Sequence, residues 1–407
     1  MIKKLLLLYS LLLTITLAGT SCHKDDVAPT AVTPPTDPGT DPDSPAYAAS
    51  TLLSEADQHD LKAAASTNEY AAFSKDIKYD VAIYKLVYYT TYQGKQIKAS
   101  GLVCVPKNMS SPAALVSMQH GTIFSNQEAP SNYSVISDQQ LLAATGYITL
   151  IPDYIGFQES KAAFHPYFDQ QHSALAVIDM IKAAKAFCKD KDFALNDKLF
   201  LVGYSEGGYV TLAAQKEIET HPEYGLTVTA SAAGAGGYDV PGLLGIVTSG
   251  QPYYFPASLA YLLLAYNYTN DWKRPLTEIF QEPYASQLPK LFNGSTDGMA
   301  INNQLPIDPQ KLFTAAFYNG LKDDGKEQQL KKALAENSLL NWAPQSPTRL
   351  YHGDADEIIS FQNSKHTYQR FSEQGATQLN FITIPGGTHE SSYTPMMQSV
   401  VPWFKLF

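Results

Sequence analysis

The run from Leu199 to Val210, LFLVGYSEGGYV, leaves little choice of local structure. The apolar stretch KLFLVG reads as a short buried strand, and GGYVTLAAQKEIETH reads as a helix with apolar residues at helical spacing. Between them stands Ser205, with Gly203 two residues before it and Gly207 two after. A strand that turns directly into a helix brings backbone against backbone, so side chains at the flanking positions would collide with their neighbours. The pentad fits Gly-x-Ser-x-Gly, a pattern that presents a nucleophilic serine at the tip of a strained turn. A glycine-rich turn without chemistry is the plain alternative, and only the context of the motif separates the two.

That context is an alternation of strands and helices. YDVAIYKLVYYTTY (79–92) and KQIKASGLVCVP (95–106) predict a hairpin around Gln93-Gly94. ALVSMQHG (114–121) and YITLIPDY (147–154) read as strands, with the helix DQQLLAATG (138–146) between them. A long helix is expected from His165 to about Lys191. Further strands are expected in LTVTASAAGAGG (226–237), TRLYHGDAD (348–356) and QLNFITIPGG (378–387). This order predicts an α/β fold: a mostly parallel sheet with helices on both faces and the hairpin at one edge. From 241 to 345 no strand of the sheet is evident, which reads as a helical cap inserted between core segments 49–240 and 346–407. Within it, FPASLAYLLLAYNY (255–268) carries more apolar residues than one packed face needs. The surplus would either line an acyl pocket around Leu263 and Leu264 or be buried in the cap's own core.

A serine hydroxyl needs a base, and the base needs an orienting acid. In a sheet of this kind both should follow later strands, in the order Ser, Asp, His. Asp356 lies three residues past Gly353 after the strand TRLY, and Glu357-Ile358-Ile359 can pack that loop down; Asp354 is its rival. His389 follows the final strand through Gly386-Gly387. An oxyanion hole needs two backbone N–H groups. Glu206, directly after the serine, supplies one, and Gly121 or Thr122 in the loop His120-Gly121-Thr122 supplies the other. His120 reads as a structural residue of that loop, and Asp153 and Tyr154 as residues that hold loops in place.

Ser205, Asp356, His389 and the His120-Gly121 loop together resemble the α/β-hydrolase fold. More narrowly, PDYIGFQES (152–160), HPYFDQQHSALAVIDMIKAA (165–184) and GYSEGGYVTLAAQ (203–215) resemble the secretory lipase family, which includes the fungal lipase A type, and its bacterial relatives. The resemblance runs over roughly residues 80–400. It implies carboxylic-ester hydrolysis on a small-molecule or lipid ester, a helical cap over the site, and neither cofactor nor metal. An esterase acting on acetyl or feruloyl groups of polysaccharides is a variant of the same reading. A peptidase of the prolyl-oligopeptidase type is another use of the fold, but no propeller-like repeat precedes the domain. A binding module that kept the fold without catalysis would not need the three residues in this order.

The N-terminus has its own logic. Met1-Ile2-Lys3-Lys4 is basic and Leu5–Ala18 apolar, so 1–21 reads as a signal peptide. LAGTSC resembles a bacterial lipoprotein signal ending at Cys22, the lipidated residue. His23-Lys24-Asp25-Asp26 resembles the surface-export tag of Bacteroidota lipoproteins. Residues 22–48, rich in Pro, Thr and Asp, read as an extended tether. The expectation is a lipid-anchored protein of the bacterial cell envelope, at the outer membrane. A net charge of −10 argues against a nucleic-acid partner. Cys104 lies in a strand pattern and Cys188 near the end of a helix pattern, which favours two buried thiols over a disulfide.

Overall fold

The computed structural model describes residues 47–66, 73–132 and 136–407. The leader, Cys22 and the tether up to residue 46 lie outside them. Among the described residues nine strands form one sheet: β1 (Tyr47–Ala56), β2 (Val81–Tyr92), β3 (Lys95–Pro106), β4 (Ala113–Gln119), β5 (Tyr147–Pro152), β6 (Leu195–Tyr204), β7 (Ala230–Gly234), β8 (Thr348–Gly353) and β9 (Leu379–Ile384). Their spatial order is β1-β2-β3-β5-β4-β6-β7-β8-β9. From β5 to β9 all neighbours are parallel, whereas β1, β2 and β3 are joined antiparallel to one another and to β5.

The hairpin forms where expected. Gln93 and Gly94 take φ of 49° and 72°, the pair of left-handed residues that a tight hairpin turn requires. From that turn β2 and β3 pair in unbroken register, from Tyr92↔Lys95 to Val81↔Pro106. The hairpin is not the edge, however. β1 covers β2, and it begins at Tyr47, inside the stretch expected to be tether. Its residues are mostly exposed, so it carries no apolar alternation by which to be read.

α1 (Gln58–Ala64), α2 (Asp138–Ala144) and α14 (Tyr393–Phe404) pack on one face, where Leu61, Leu141, Val400 and Trp403 join Val116 and Val202 of the sheet. α3 (Gln170–Asp190) and α4 (Glu206–Thr220) pack on the other, where Val177, Ile181, Leu212 and Ala213 meet Leu115 and Leu201. α13 (Phe361–Glu373) joins that second core through Phe371. α3 starts five residues later than the sequence pattern suggests. Phe168 takes φ of 54°, which no helix accepts, and the Asp169 side chain caps the helix by accepting the N–H of His172. β7 is likewise shorter than expected, because Ala235 leaves the strand with φ of 44°. Cys104 and Cys188 are free and buried, and burial pushes both thiols up to about 12.

Between β7 and β8 the chain forms eight helices and no strand of the sheet: α5 (Val240–Thr248), α6 (Pro256–Thr269), α7 (Leu276–Ile279), α8 (Tyr284–Leu291), α9 (Gly298–Asn302), α10 (Pro309–Leu312), α11 (Ala315–Lys322) and α12 (Gln328–Glu336). α6 is the most enclosed of the longer ones. Leu262, Leu263 and Leu264 are all buried, and consecutive helical residues point about 100° apart, so more than one face is covered. Leu262, Leu263 and Leu264 are spent on packing, while Tyr261 and Tyr268 of the same run line a cavity.

Candidate active site

Every loop that carries a sequence-derived site residue leaves the same, carboxyl end of a parallel strand. His120-Gly121-Thr122 follows β4, Asp153 follows β5, Ser205 follows β6, Asp356 follows β8 and His389 follows β9. Open α/β sheets place their sites at this end, because the loops there converge on one crevice.

Ser205 occupies the turn with φ of 59° and ψ of −125°, a region that costs a non-glycine residue about 1–3 kcal/mol. Its N–H is held by the Gly234 carbonyl of the neighbouring strand at 2.9 Å. The glycines answer the crowding around it. A side chain on Gly203 would strike the Gly207 carbonyl, and one on Gly207 would strike the carbonyl of Gln119 at the end of β4. α4 starts at Glu206, so the first helical N–H groups lie beside the serine.

His389 reaches the serine from the β9 loop. The Ser205 hydroxyl donates to His389 Nε2 at 2.8 Å, and His389 Nδ1–H donates to Asp356 Oδ2 at 2.7 Å. The other Asp356 oxygen accepts the N–H groups of Ile358 and Ile359, both at 2.9 Å, so the residues that follow the aspartate do fix it. Burial alone would raise the Asp356 carboxyl. Hydrogen bonds from His352 and His389 outweigh it and hold the group well below the usual carboxylate range. Asp354 faces elsewhere. Its Oδ1 accepts the Gly386 N–H at 2.6 Å and ties down the loop that carries His389. Tyr204 completes that support by donating its hydroxyl to the His389 carbonyl at 2.7 Å.

His352 was not singled out from sequence. Its Nε2–H lies 3.0 Å from the Ile359 carbonyl and 3.2 Å from Asp356 Oδ2, while the Ser364 hydroxyl donates to Nδ1 at 2.6 Å. The only hint was its place four residues before Asp356.

A second cluster lies behind the turn. His120 Nδ1–H donates to the Gly121 carbonyl at 2.7 Å, and its ring stacks on Tyr154 at 4.0 Å. Tyr154 in turn donates to the His120 carbonyl at 3.0 Å. Burial lowers His120. Because a trans peptide sets C=O and N–H on opposite edges, engaging the Gly121 carbonyl turns the Thr122 N–H away from the imidazole. Asp153 is fully buried and accepts from the Ser100 hydroxyl and from both the N–H and hydroxyl of Ser131. Burial raises its carboxyl, and those hydrogen bonds oppose the rise. Glu206 Oε1 lies 2.7 Å from His165 Nε2, a contact between residues 41 positions apart that the sequence did not suggest.

Beside this cluster is a cavity of about 430 Å³, lined in part by Phe124, Phe164, Tyr261, Tyr268, Phe292 and Asn126. Neither Ser205 nor His389 lines it. Tyr261 of α6 packs at ring distances of 5.2 Å from Tyr167 and 5.8 Å from His165, and the Tyr167 hydroxyl is 2.9 Å from Thr122 Oγ1. The α5–α12 segment therefore reaches the loop that follows β4.

The profile of the secretory lipase family matches residues 126–405, most of the sheet together with the elbow, the helical insertion and both later loops. The chain belongs to the secretory lipase family. Among curated proteins the chain is similar to lipase 2 of Candida albicans, 27% identical over 248 residues, which are 58% of this chain and 50% of that protein. It is also similar to the secreted triacylglycerol lipase LIP2 of Malassezia furfur, 24% identical over 343 residues, 78% of this chain and 69% of that one. The match thus spans half the length of the Candida relative. Among solved structures it resembles the rice cell wall degrading esterase LipA from Xanthomonas oryzae, with a TM-score of 0.77 and 25% identity over 88% of this chain and 97% of that chain. Candida antarctica lipase A in its closed state shares the fold, with a TM-score of 0.63 and 16% identity over 86% and 79% of the two chains. The chain has the α/β-hydrolase fold.

Proposed function

We propose that this protein is a serine carboxylic-ester hydrolase that works through an acyl-enzyme. The hydrogen-bonded series Ser205–His389–Asp356 carries the reading: a serine hydroxyl aimed at an imidazole nitrogen whose other nitrogen is held by a buried carboxylate. Ser205 Oγ attacks the ester carbonyl as His389 Nε2 takes its proton. Asp356 keeps the proton of His389 on Nδ1, so that Nε2 is free to accept, and stabilises the imidazolium. The carbonyl oxygen, now negative, is received by the Glu206 N–H and by the loop 121–122. There the position of the Gly121 carbonyl favours the Thr122 N–H as the second donor. His389 returns its proton to the departing alcohol, and water then cleaves the acyl-enzyme by the same steps in reverse.

The family and its lipase members support a lipid ester as substrate. A polysaccharide ester is the second reading, favoured by the likeness to LipA and by a cavity that combines aromatic rings with Asn126 and Asn293. We read residues 241–345 as a cap over the site, supported by the packing of Tyr261 against His165 and Tyr167. The leader and Cys22 support secretion and lipid anchoring in a bacterial envelope; among the described residues no helix is long and apolar enough to cross a membrane. Hydrolysis of p-nitrophenyl esters from acetate to palmitate, run beside acetylated xylan and a feruloyl ester, tests the proposal. Ser205-dependent release of acid from one class supports it and names the substrate, and no release from any of them overturns it.

A further inference from the structure

Glu206 and His165 are both nearly sealed from solvent, with side chains 2% and 4% exposed. A carboxyl in such a place is costly unless it is paired. The pairing is constrained by a third group. His165 Nδ1 lies 2.7 Å from the Ile155 carbonyl, which can only accept, so Nδ1 carries a hydrogen. Nε2 then faces a carboxyl oxygen at 2.7 Å, and two lone pairs cannot meet at that distance. One proton must lie between Glu206 and His165, whichever of them owns it.

The surroundings make this contact a fixed point. Gly156 takes φ of 100°, and a Cβ there would come within 2.6 Å of the His165 Cα, so the 155–156 backbone lies directly on the imidazole-bearing residue. Tyr154 and Tyr261 stack on the His165 ring from other elements. The phenols of Tyr154, Tyr167 and Tyr261 are driven up chiefly by burial, with the Glu206 charge adding to the rise. Asp153 is satisfied by Ser100 and Ser131, and His120 Nδ1 by the Gly121 carbonyl, while the buried His120 Nε2 has no hydrogen-bond partner. The Glu206 side chain thus anchors the first residue of α4 to the 155–165 loop, while its backbone N–H stands next to the nucleophile.

We propose that Glu206 and His165 form a proton-sharing clamp that fixes the nucleophile turn and the Glu206 N–H at the oxyanion position, acting as positioning residues. This rests on the ester-hydrolase reading. A clamp of this kind needs a polar group of the right reach at position 206, and a glutamine amide can donate to the same Nε2 or accept from it. The test is steady-state hydrolysis of p-nitrophenyl butyrate by the full chain carrying Glu206→Gln, Glu206→Asp or Glu206→Leu, with melting temperatures measured beside it. Glu206→Asp and Glu206→Leu are expected to lose about 10²-fold in kcat, the cost of displacing a transition-state donor by about 1 Å, with KM within about twofold. Glu206→Gln is expected to lose no more than about threefold, as an amide preserves the bond. If Glu206→Leu fails to fold, Glu206→Asp, which keeps the carboxyl group but shortens the reach, carries the same expectation. Parent kcat in Glu206→Asp, equal damage in Glu206→Gln and Glu206→Asp, or a loss confined to KM would each overturn the clamp. Those results leave the ester-hydrolase reading standing as long as the parent is active and Ser205→Ala is not. A parent inactive on every ester removes both.

Discussion

Two carboxylate–imidazole pairs adjoin Ser205, and each is 2.7 Å long. Asp356–His389 stands on the loops after β8 and β9, and its imidazole is 16% exposed and touches the serine hydroxyl. Glu206–His165 stands between the start of α4 and the 155–165 loop, and neither member reaches solvent. The lengths do not distinguish them; their outlets do. His389 has one nitrogen on a carboxylate and the other on the Ser205 hydroxyl, so a proton can pass through it. Both nitrogens of His165 are committed to the protein, one to Ile155 and one to Glu206. The same chemical pair can therefore serve turnover in one setting and rigidity in another.

The largest effect expected from breaking this contrast comes at the residue both pairs adjoin. Ser205→Ala should lower kcat by at least about 10⁴-fold while leaving the melting temperature within about two degrees, since the serine lies at a partly open turn. A purified variant with parent activity would remove Ser205 as nucleophile. Exchange of carboxylate for amide sharpens the comparison further. Asp356→Asn should cost about 10⁴-fold in kcat, because an amide can donate to Nδ1 and stabilise the wrong tautomer. At Glu206 the same exchange should cost no more than the few-fold given above. Asp354→Asn should lose less than about tenfold, as Asp354 only anchors Gly386; a ranking that puts it above Asp356→Asn would move the acid to Asp354.

The Asp356 pair should also show in stability against pH. Its folded-state carboxyl is held below the unfolded value of about 3.9, so the stabilisation is present above that value. It is lost as pH falls toward the folded-state value. Melting temperatures from pH 7 downward should show the parent's advantage over Asp356→Asn shrinking only below about pH 4. An advantage that is already gone at pH 6 would contradict the carboxylate's depression. A modest effect is expected of Tyr204→Phe, which removes one hydrogen bond to the His389 carbonyl, worth about 1 kcal/mol, or about fivefold in kcat. No change at all would mean that the loop is held without Tyr204, by Asp354 on Gly386, by Glu357 on the His389 N–H and by the Ala355 N–H on the Gly387 carbonyl.

The sequence by itself determined the frame of this site. Gly203, Ser205 and Gly207 are spaced for one turn geometry, and the alternation of apolar runs with amphipathic ones admits little besides a parallel sheet whose loops gather at one end. Asp356 and His389 were legible because chain order in such a sheet fixes which loops can face the serine. The tertiary structure decided what depends on contacts between distant segments. Whether Asp354 or Asp356 faces the imidazole is decided by their partners: the N–H groups of Ile358 and Ile359 hold Asp356 toward it, and the Gly386 N–H holds Asp354 elsewhere. β1 had no signal because an exposed edge strand is held by backbone hydrogen bonds, which any residue supplies. α6 read as surplus because burial on several faces comes from partners the helix's own sequence does not contain. His165 reads in sequence as the start of a helix, since a single sequence records periodicity along a chain and carries no mark of a carboxyl 41 residues away.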